Sequence, residues 1–206
     1  MKAFFRYLLG TVFLPGRAFS RLSTDPRRAR RGVQAVLFTA GLYTVVAAAL
    51  AVAGAVPMAP IFLPLRPENY YFWEMLFALP VVGSVWLAGS ALIHFPGRRR
   101  ESSLRTTLAV FGFAMAGPLI LAWLPLAAAA VFHGLGMGQA EMVEILSIPS
   151  IPQTLFLGIY GLAAAWSLAL VIRAAAVSRK TGPARALLLA LPAEAVLLAA
   201  AALFLR

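Results

Sequence analysis

The sequence predicts an all-α, polytopic membrane bundle: five transmembrane helices preceded by an N-terminal interfacial amphipathic helix. Three observations predict it. The first is composition. Of 206 residues, 62% are hydrophobic and 12% charged, against roughly 45–50% and 25% in a soluble domain. The second is segmentation into five apolar stretches, each near the ~20 residues a helix needs to cross ~30 Å of hydrocarbon. The third is the way basic residues alternate between those stretches.

The mean hydropathy of +0.86 excludes disorder, which needs a polar chain. The formal net charge is +11. In a soluble protein such an excess would point to nucleic acid, but no basic-aromatic soluble module is left over to bind it. The excess reads instead as loops held against anionic lipid. There are no cysteines, hence no disulfide, thiolate metal site or cysteine nucleophile. Arginine far outnumbers lysine, which occurs only as Lys2 and Lys180. With the abundant alanine and leucine, this hints at a GC-rich bacterial genome and so at the cytoplasmic (inner) membrane.

Residues 1–25 form the amphipathic segment. Phe4, Phe5, Leu8, Leu9, Val12 and Phe13 recur at helical intervals, with Lys2 and Arg6 along one edge. Pro15-Gly16 breaks this helix, and a second short piece sets Phe19 and Leu22 against Arg17 and Arg21. The segment is too short to span. Arg6 interrupts what would be the apolar region of a signal peptide, and no small-x-small cleavage site follows. A helix lying in the inner-leaflet interface is expected, serving as an anchor or, in a sharper role, as a lipid sensor or docking site.

The transmembrane domain, 26–206, follows, with spans near Val33–Val56, Phe72–Phe95, Thr107–Phe132, Gln153–Ala176 and Arg185–Leu205. Asp25 is placed as the N-cap of the first helix, with Pro26 at its first position. Arg27, Arg28, Arg30 and Arg31 then meet the headgroups. Residues 57–67, with four prolines, are expected to lie in the outer interface and cap the bundle, a gating loop being the alternative. Tyr70, Tyr71 and Trp73 are expected in an aromatic belt at the mouth of span two, with Glu74 just inside and reachable by water. Pro96-Gly97 ends span two, and Arg98, Arg99 and Arg100 follow as headgroup contacts. His94 reads as an interface residue. Thr181-Gly182-Pro183 ends span four and opens span five, so these two should be antiparallel neighbours.

Counting from the N-terminus, the extramembrane segments carry eight, one, four, none, four and one basic residues. By the positive-inside rule the N-terminus is cytoplasmic and the C-terminus outside.

The stretch Phe13-Leu14-Pro15-Gly16-Arg17-Ala18-Phe19, then Asp25-Pro26 and a first span, resembles the opening of bacterial Yip1-domain membrane proteins. Pro15, Ala18, Phe19 and Pro26 occupy the positions that carry the likeness. Trp166, a basic turn and a final apolar helix are similar to that family's C-terminal half. The resemblance implies a five-helix, N-in membrane domain without known catalysis, and supplies no functional residue. The Asp-Leu-Tyr-Gly-Pro and Gly-Tyr motifs of the eukaryotic relatives are absent, so no GTPase partner is implied.

Glu194, near the middle of span five, stands out among residues that could carry chemistry. An ionisable group at that depth is expensive and marks a functional hypothesis by default. Antiparallel depth places Ser84, Trp166 and Ser167 beside it. One reading is a proton or cation site in a transporter; the other is a carboxyl satisfied by a Trp N–H or a Ser hydroxyl. Pro80, Pro118, Pro125 and Pro192, with Gly83, Gly112, Gly117, Gly158 and Gly161, interrupt the spans. Broken helices build transport sites, but small residues also permit close packing, and no paired repeat is visible. His133, Glu141 and Glu144 could approach a divalent cation, but the glycine-rich 134–138 stretch separates them and no metal is expected. No nucleophile with its base, no carboxylate pair at one depth and no metalloprotease pattern occurs, so an enzyme is not expected, nor any cofactor.

The expected function is that of a non-catalytic protein organising lipid or partner proteins. The alternative is a small transporter or lipid-moving protein using Glu194. Expected partners are anionic lipid headgroups, with self-association or another membrane protein left open.

Overall fold

A computed structural model of the protein describes residues 2–57, 62–96, 103–147 and 150–204. Among the described residues every regular element is helical. Two short helices, α1 (Lys2–Phe13) and α2 (Pro15–Thr24), precede α3 (Arg28–Val52). A 3-10 turn at Pro67–Asn69 leads into α4 (Tyr70–His94). Then come α5 (Leu104–Ala122), α6 (Leu124–Gly134), α7 (Gln139–Ser147), α8 (Ile151–Arg179) and α9 (Pro183–Phe204). Five stretches are long and apolar enough to cross a membrane: Arg28–Val52, Pro67–His94, Leu104–Gly134, Ile151–Arg179 and Pro183–Phe204. Each overlaps one span expected from the sequence.

The third span is broken. Trp123 separates α5 from α6, and Pro125 follows in the first turn of α6. Proline has no N–H to give to the preceding turn, so the ladder is interrupted there. Pro80, Pro118 and Pro192 lie within helices that continue through them.

The first long helix begins at Arg28 with Arg27 as its cap, not at Asp25-Pro26 as the sequence suggested. The Asp25 carboxylate is occupied one turn earlier. Its Oδ1 accepts the Arg27 N–H at 2.7 Å, while its backbone carbonyl accepts the Arg28 N–H at 3.1 Å. The resulting Asx turn delays the helix. At the α8–α9 junction Lys180, rather than Gly182, takes the left-handed conformation, with φ 46°. The N–H of Thr181 returns to the Ala176 carbonyl at 3.1 Å, and Pro183 opens α9. The two helices pack as antiparallel neighbours.

α5 is the centre of the bundle. Ala109 through Ala116 are all buried, and α3, α4 and α8 pack around it. Small residues set the spacing. A Cβ on Gly32 would meet the Ala109 Cα and the Leu108 carbonyl oxygen at 2.9 Å. The α3 and α5 backbones therefore cross in contact, as membrane helices do where glycine lets them. Trp86 of α4 closes the crossing by donating Nε1–H to the Leu108 carbonyl at 2.8 Å.

Candidate functional site

Glu194 sits on the inward face of α9, 4% exposed, between Ala193 and Leu197 of the same buried stripe. Ser167 of α8, itself 3% exposed, donates its hydroxyl to Glu194 Oε2 at 3.0 Å. Oε1 is buried with no hydrogen-bond partner among the described residues. Of the three neighbours expected from depth, only Ser167 makes this contact. The Trp166 ring lies over Gly117 of α5, where a Cβ would stand 3.1 Å from it. Ser84 is a correction. It lies on the exposed face of α4, because Val82 and Val85 take the inward positions around it.

Ser167 also lines a cavity of about 600 Å3 between α5, α6, α8 and α9. Leu119, Leu126, Ala129, Phe156, Ala163 and Leu197 supply apolar wall, and the break residues Trp123 and Pro125 form part of it. The break in the third span thus borders this space. A second hollow of about 540 Å3 lies beneath α7 and shares Pro125, Ala129, Leu146 and Phe156 with the first. Gln139 ties α7 down at that end: its side-chain amide donates to the Val56 carbonyl at 2.9 Å.

Part of the cavity wall is aromatic. Tyr71 of α4 and Tyr160 of α8, two turns before Ser167, line it with Trp123. Glu74 lies one helical turn after Tyr71 and is 2% exposed. Tyr43, fully buried, packs its ring 4.6 Å from Trp123.

Two expectations are corrected here. Glu74 is buried in protein rather than water-reachable at the mouth. Tyr70 and Tyr71 turn inward, 1% and 6% exposed, while Phe72 and Trp73 face out. A buried carboxylate requires polar neighbours, and residues 70, 71 and 74 share one helix face. The sequence reading missed this cluster. The available signal was a glutamate spaced three and four residues after two tyrosines.

At the opposite, arginine-rich end, α1 and α2 dock onto the bundle. Phe4, Tyr7, Phe19 and Leu22 enter the common core. Phe5, Leu9, Phe13 and Leu14 face outward. The apolar face expected to lie wholly in the interface is therefore shared between protein and exterior. The Tyr7 hydroxyl donates to Asp25 Oδ2 at 3.0 Å. Burial, and then this bond, pushes the Tyr7 phenol above its ordinary value. Lys2, Arg6, Arg17, Arg21, Arg27 and Arg30 are exposed there. Arg28 and Arg31 are half-buried, with Arg31 Nη1 donating to Gln34 Oε1 at 3.0 Å. Arg98, Arg99 and Arg100 lie outside the described residues, as do residues 58–61 of the proline-rich 57–67 loop.

Arg179, read in the sequence only as a topological charge, is 2% exposed and ends α4. Its guanidinium donates to the carbonyls of His94 and of Pro96, the latter at 2.9 Å. A cation at a helix C-terminus also complements its dipole. His94 is buried rather than at an interface, with Thr107 Oγ1 3.4 Å from its Nδ1. Glu141 Oε2 accepts the Gly138 N–H at 2.9 Å, and no cluster of three potential metal ligands forms among the described residues. No family model, curated protein or solved structure matches the chain.

Proposed function

We propose that this integral membrane protein is non-catalytic, of the Yip1-like type, and organises lipid by holding an apolar chain within its bundle. The observation that carries this reading is the cavity of about 600 Å3 behind the break at Trp123. Its wall is mostly apolar, and in a bilayer the abundant molecule that fills such a space is an acyl chain. Its volume lies within the ordinary range of ligand pockets. The docked N-terminal helices support the same reading. They set six exposed basic residues beside outward-facing Phe5, Leu9, Phe13 and Leu14, a combination suited to an anionic headgroup layer. The N-in orientation in a bacterial cytoplasmic membrane belongs to this proposal.

The test uses a phospholipid with a photoreactive acyl chain in proteoliposomes, with label sites mapped by mass spectrometry. Label at Leu126, Ala129 or Phe156, lost when Ala129→Trp fills the space, is the expected result. Label confined to outward residues such as Leu87 and Leu188 would overturn the reading.

A second reading, a transporter or lipid-moving protein, is favoured by one observation: the Ser167–Glu194 pair borders the same cavity. Flux measured in the same vesicles separates the two. pH-dependent movement of lipid or solute that Glu194→Gln abolishes while remaining folded would establish the second reading.

A further inference from the structure

A single acyl chain in the first cavity leaves the second hollow unexplained. The two spaces, of about 600 and about 540 Å3, have Pro125 and Ala129 of α6, Leu146 of α7 and Phe156 of α8 as common wall. Beyond that wall, each is lined by a different stripe of the same two helices. On α8, Leu157, Tyr160 and Ala164 face the first hollow at three- and four-residue spacing, while Pro152, Leu155 and Ile159 face the second. On α6, Leu126 faces the first, and Leu124, Ala128 and Phe132 face the second. Leu197 and Ala201 of α9 wall the first, and Met142 and Ile145 of α7 wall the second. The hollows are thus two arms that meet at Phe156.

Each arm has the volume of one lipid tail. A methylene fills much the same space as a water in the liquid, ~30 Å3, so the arms correspond to about 20 and about 18 methylenes. One chain of ordinary length fills one arm and leaves the other empty. An empty apolar space forfeits the contacts of its lining, and in a bilayer a second tail is at hand. Among the described residues neither arm is lined by an acidic or basic side chain. A charged head is costly to bury without a partner, so the head of the guest stays outside the arms.

We propose that the two hollows form one binding site for a two-chain glycerolipid, which sits astride Phe156 with one acyl chain in each arm. This inference rests on the lipid-holding reading and specifies the guest by its number of tails. Two chains joined through one glycerol enter as a pair. Once the first is seated, the second is held beside its own arm at high effective concentration. Two single-chain lipids lack that link, and apolar surface alone gives a tail no reason to leave its neighbours in the bilayer. A phospholipid and a neutral diacylglycerol supply the same joined pair of tails.

The experiment uses the full-length protein in phosphatidylcholine proteoliposomes and a glycerolipid probe with a diazirine in each acyl chain. The probe is made with a phosphocholine head and, separately, as the diacylglycerol. Irradiation should yield a lipid bridge, with one probe joined to Leu197 or Ala201 of α9 through one chain and to Met142 or Ile145 of α7 through the other. Mass spectrometry of the linked peptides reads it. Bridging by the phosphocholine probe, with or without the diacylglycerol, supports the proposal with phospholipid as the source. Bridging by the diacylglycerol alone supports it with a neutral lipid. Ala201 lines only the first arm and Ala128 only the second, and neither is buried. Ala201→Trp and Ala128→Trp should each abolish the bridge while the open arm keeps its single label, which also reports that the variant is folded. Label in the first arm only, or in both arms but never joined by one probe, overturns this inference and leaves the lipid-holding function intact. A bridge that survives either substitution also overturns the inference. Label confined to the second arm, or absent from both, overturns both readings.

Discussion

Ser167 and Glu194 divide one hydrogen bond unequally. The serine gives its only proton, and the carboxyl receives it on one of two oxygens. Removing the donor leaves a buried acceptor with nothing in exchange, which costs more than the bond itself contributes. Ser167→Ala should therefore lower stability by about 1 kcal/mol, the usual size of such bonds between membrane helices. Glu194→Gln preserves volume and still presents an oxygen to the serine, so its melting temperature in detergent should stay near that of the native chain. A thermal scan of both variants checks the pair. A Gln variant less stable than the Ala variant would mean that the carboxylate charge, rather than its acceptor oxygen, holds α8 to α9. Depth arithmetic on the sequence had placed Ser84 and Trp166 beside Glu194 as readily as Ser167. Depth is fixed by residue count along a helix, whereas facing depends on rotation, and in lipid a rotation leaves apolar surface on every side.

The same physics decides what could be read at the level of elements. The spans were legible because a bilayer demands long apolar runs and confines arginine to their ends. Which face of each span turns inward was not. A soluble helix advertises its core face by contrast with a polar one, whereas a lipid-exposed helix is apolar all round. Tyr70 and Tyr71 illustrate the difficulty: an aromatic cluster at a span end reads as a belt, yet these two enclose Glu74 while Phe72 and Trp73 face outward. The break at Trp123 was signalled by Pro125, although Pro80, Pro118 and Pro192 sit inside helices that continue. Close packing was legible only as a tendency of glycine. Gly32 stands at the helix start among arginines, where nothing in the sequence marks a contact, yet the α3–α5 crossing depends on it. Its missing Cβ is what allows contact with the Ala109 backbone. Two packed backbones cannot yield as a flexible side chain can, so Gly32→Val should cost several kcal/mol, beyond the ~1–3 kcal/mol of ordinary overpacking. Monodisperse yield in size-exclusion chromatography, compared with Gly41→Val on an open face of the same helix, measures it. Equal yields would show that α3 and α5 separate without penalty.

At the scale of the whole molecule, most of the described basic residues gather at one end, with Arg66 at the other. The docked α1–α2 pair, the start of α3 and the α8–α9 turn lie at the basic end, with the capping guanidinium of Arg179. The cavity, bordered by the start of α8 and the end of α9, lies toward the other. A charge asymmetry of this kind fixes insertion, because loops rich in arginine are retained on the cytoplasmic side. It follows that an acyl chain held in the cavity would enter from the leaflet opposite the arginine-rich end. The absence of cysteine makes the orientation directly measurable. Ser20→Cys places a thiol on the exposed side of α2, and Leu135→Cys places one in the turn after α6, where the native side chain is 78% exposed. In intact spheroplasts a membrane-impermeant maleimide should modify position 135 and spare position 20. After lysis both should react. The reverse pattern would place the cavity on the cytoplasmic side and the arginine-rich end outside, against the positive-inside rule.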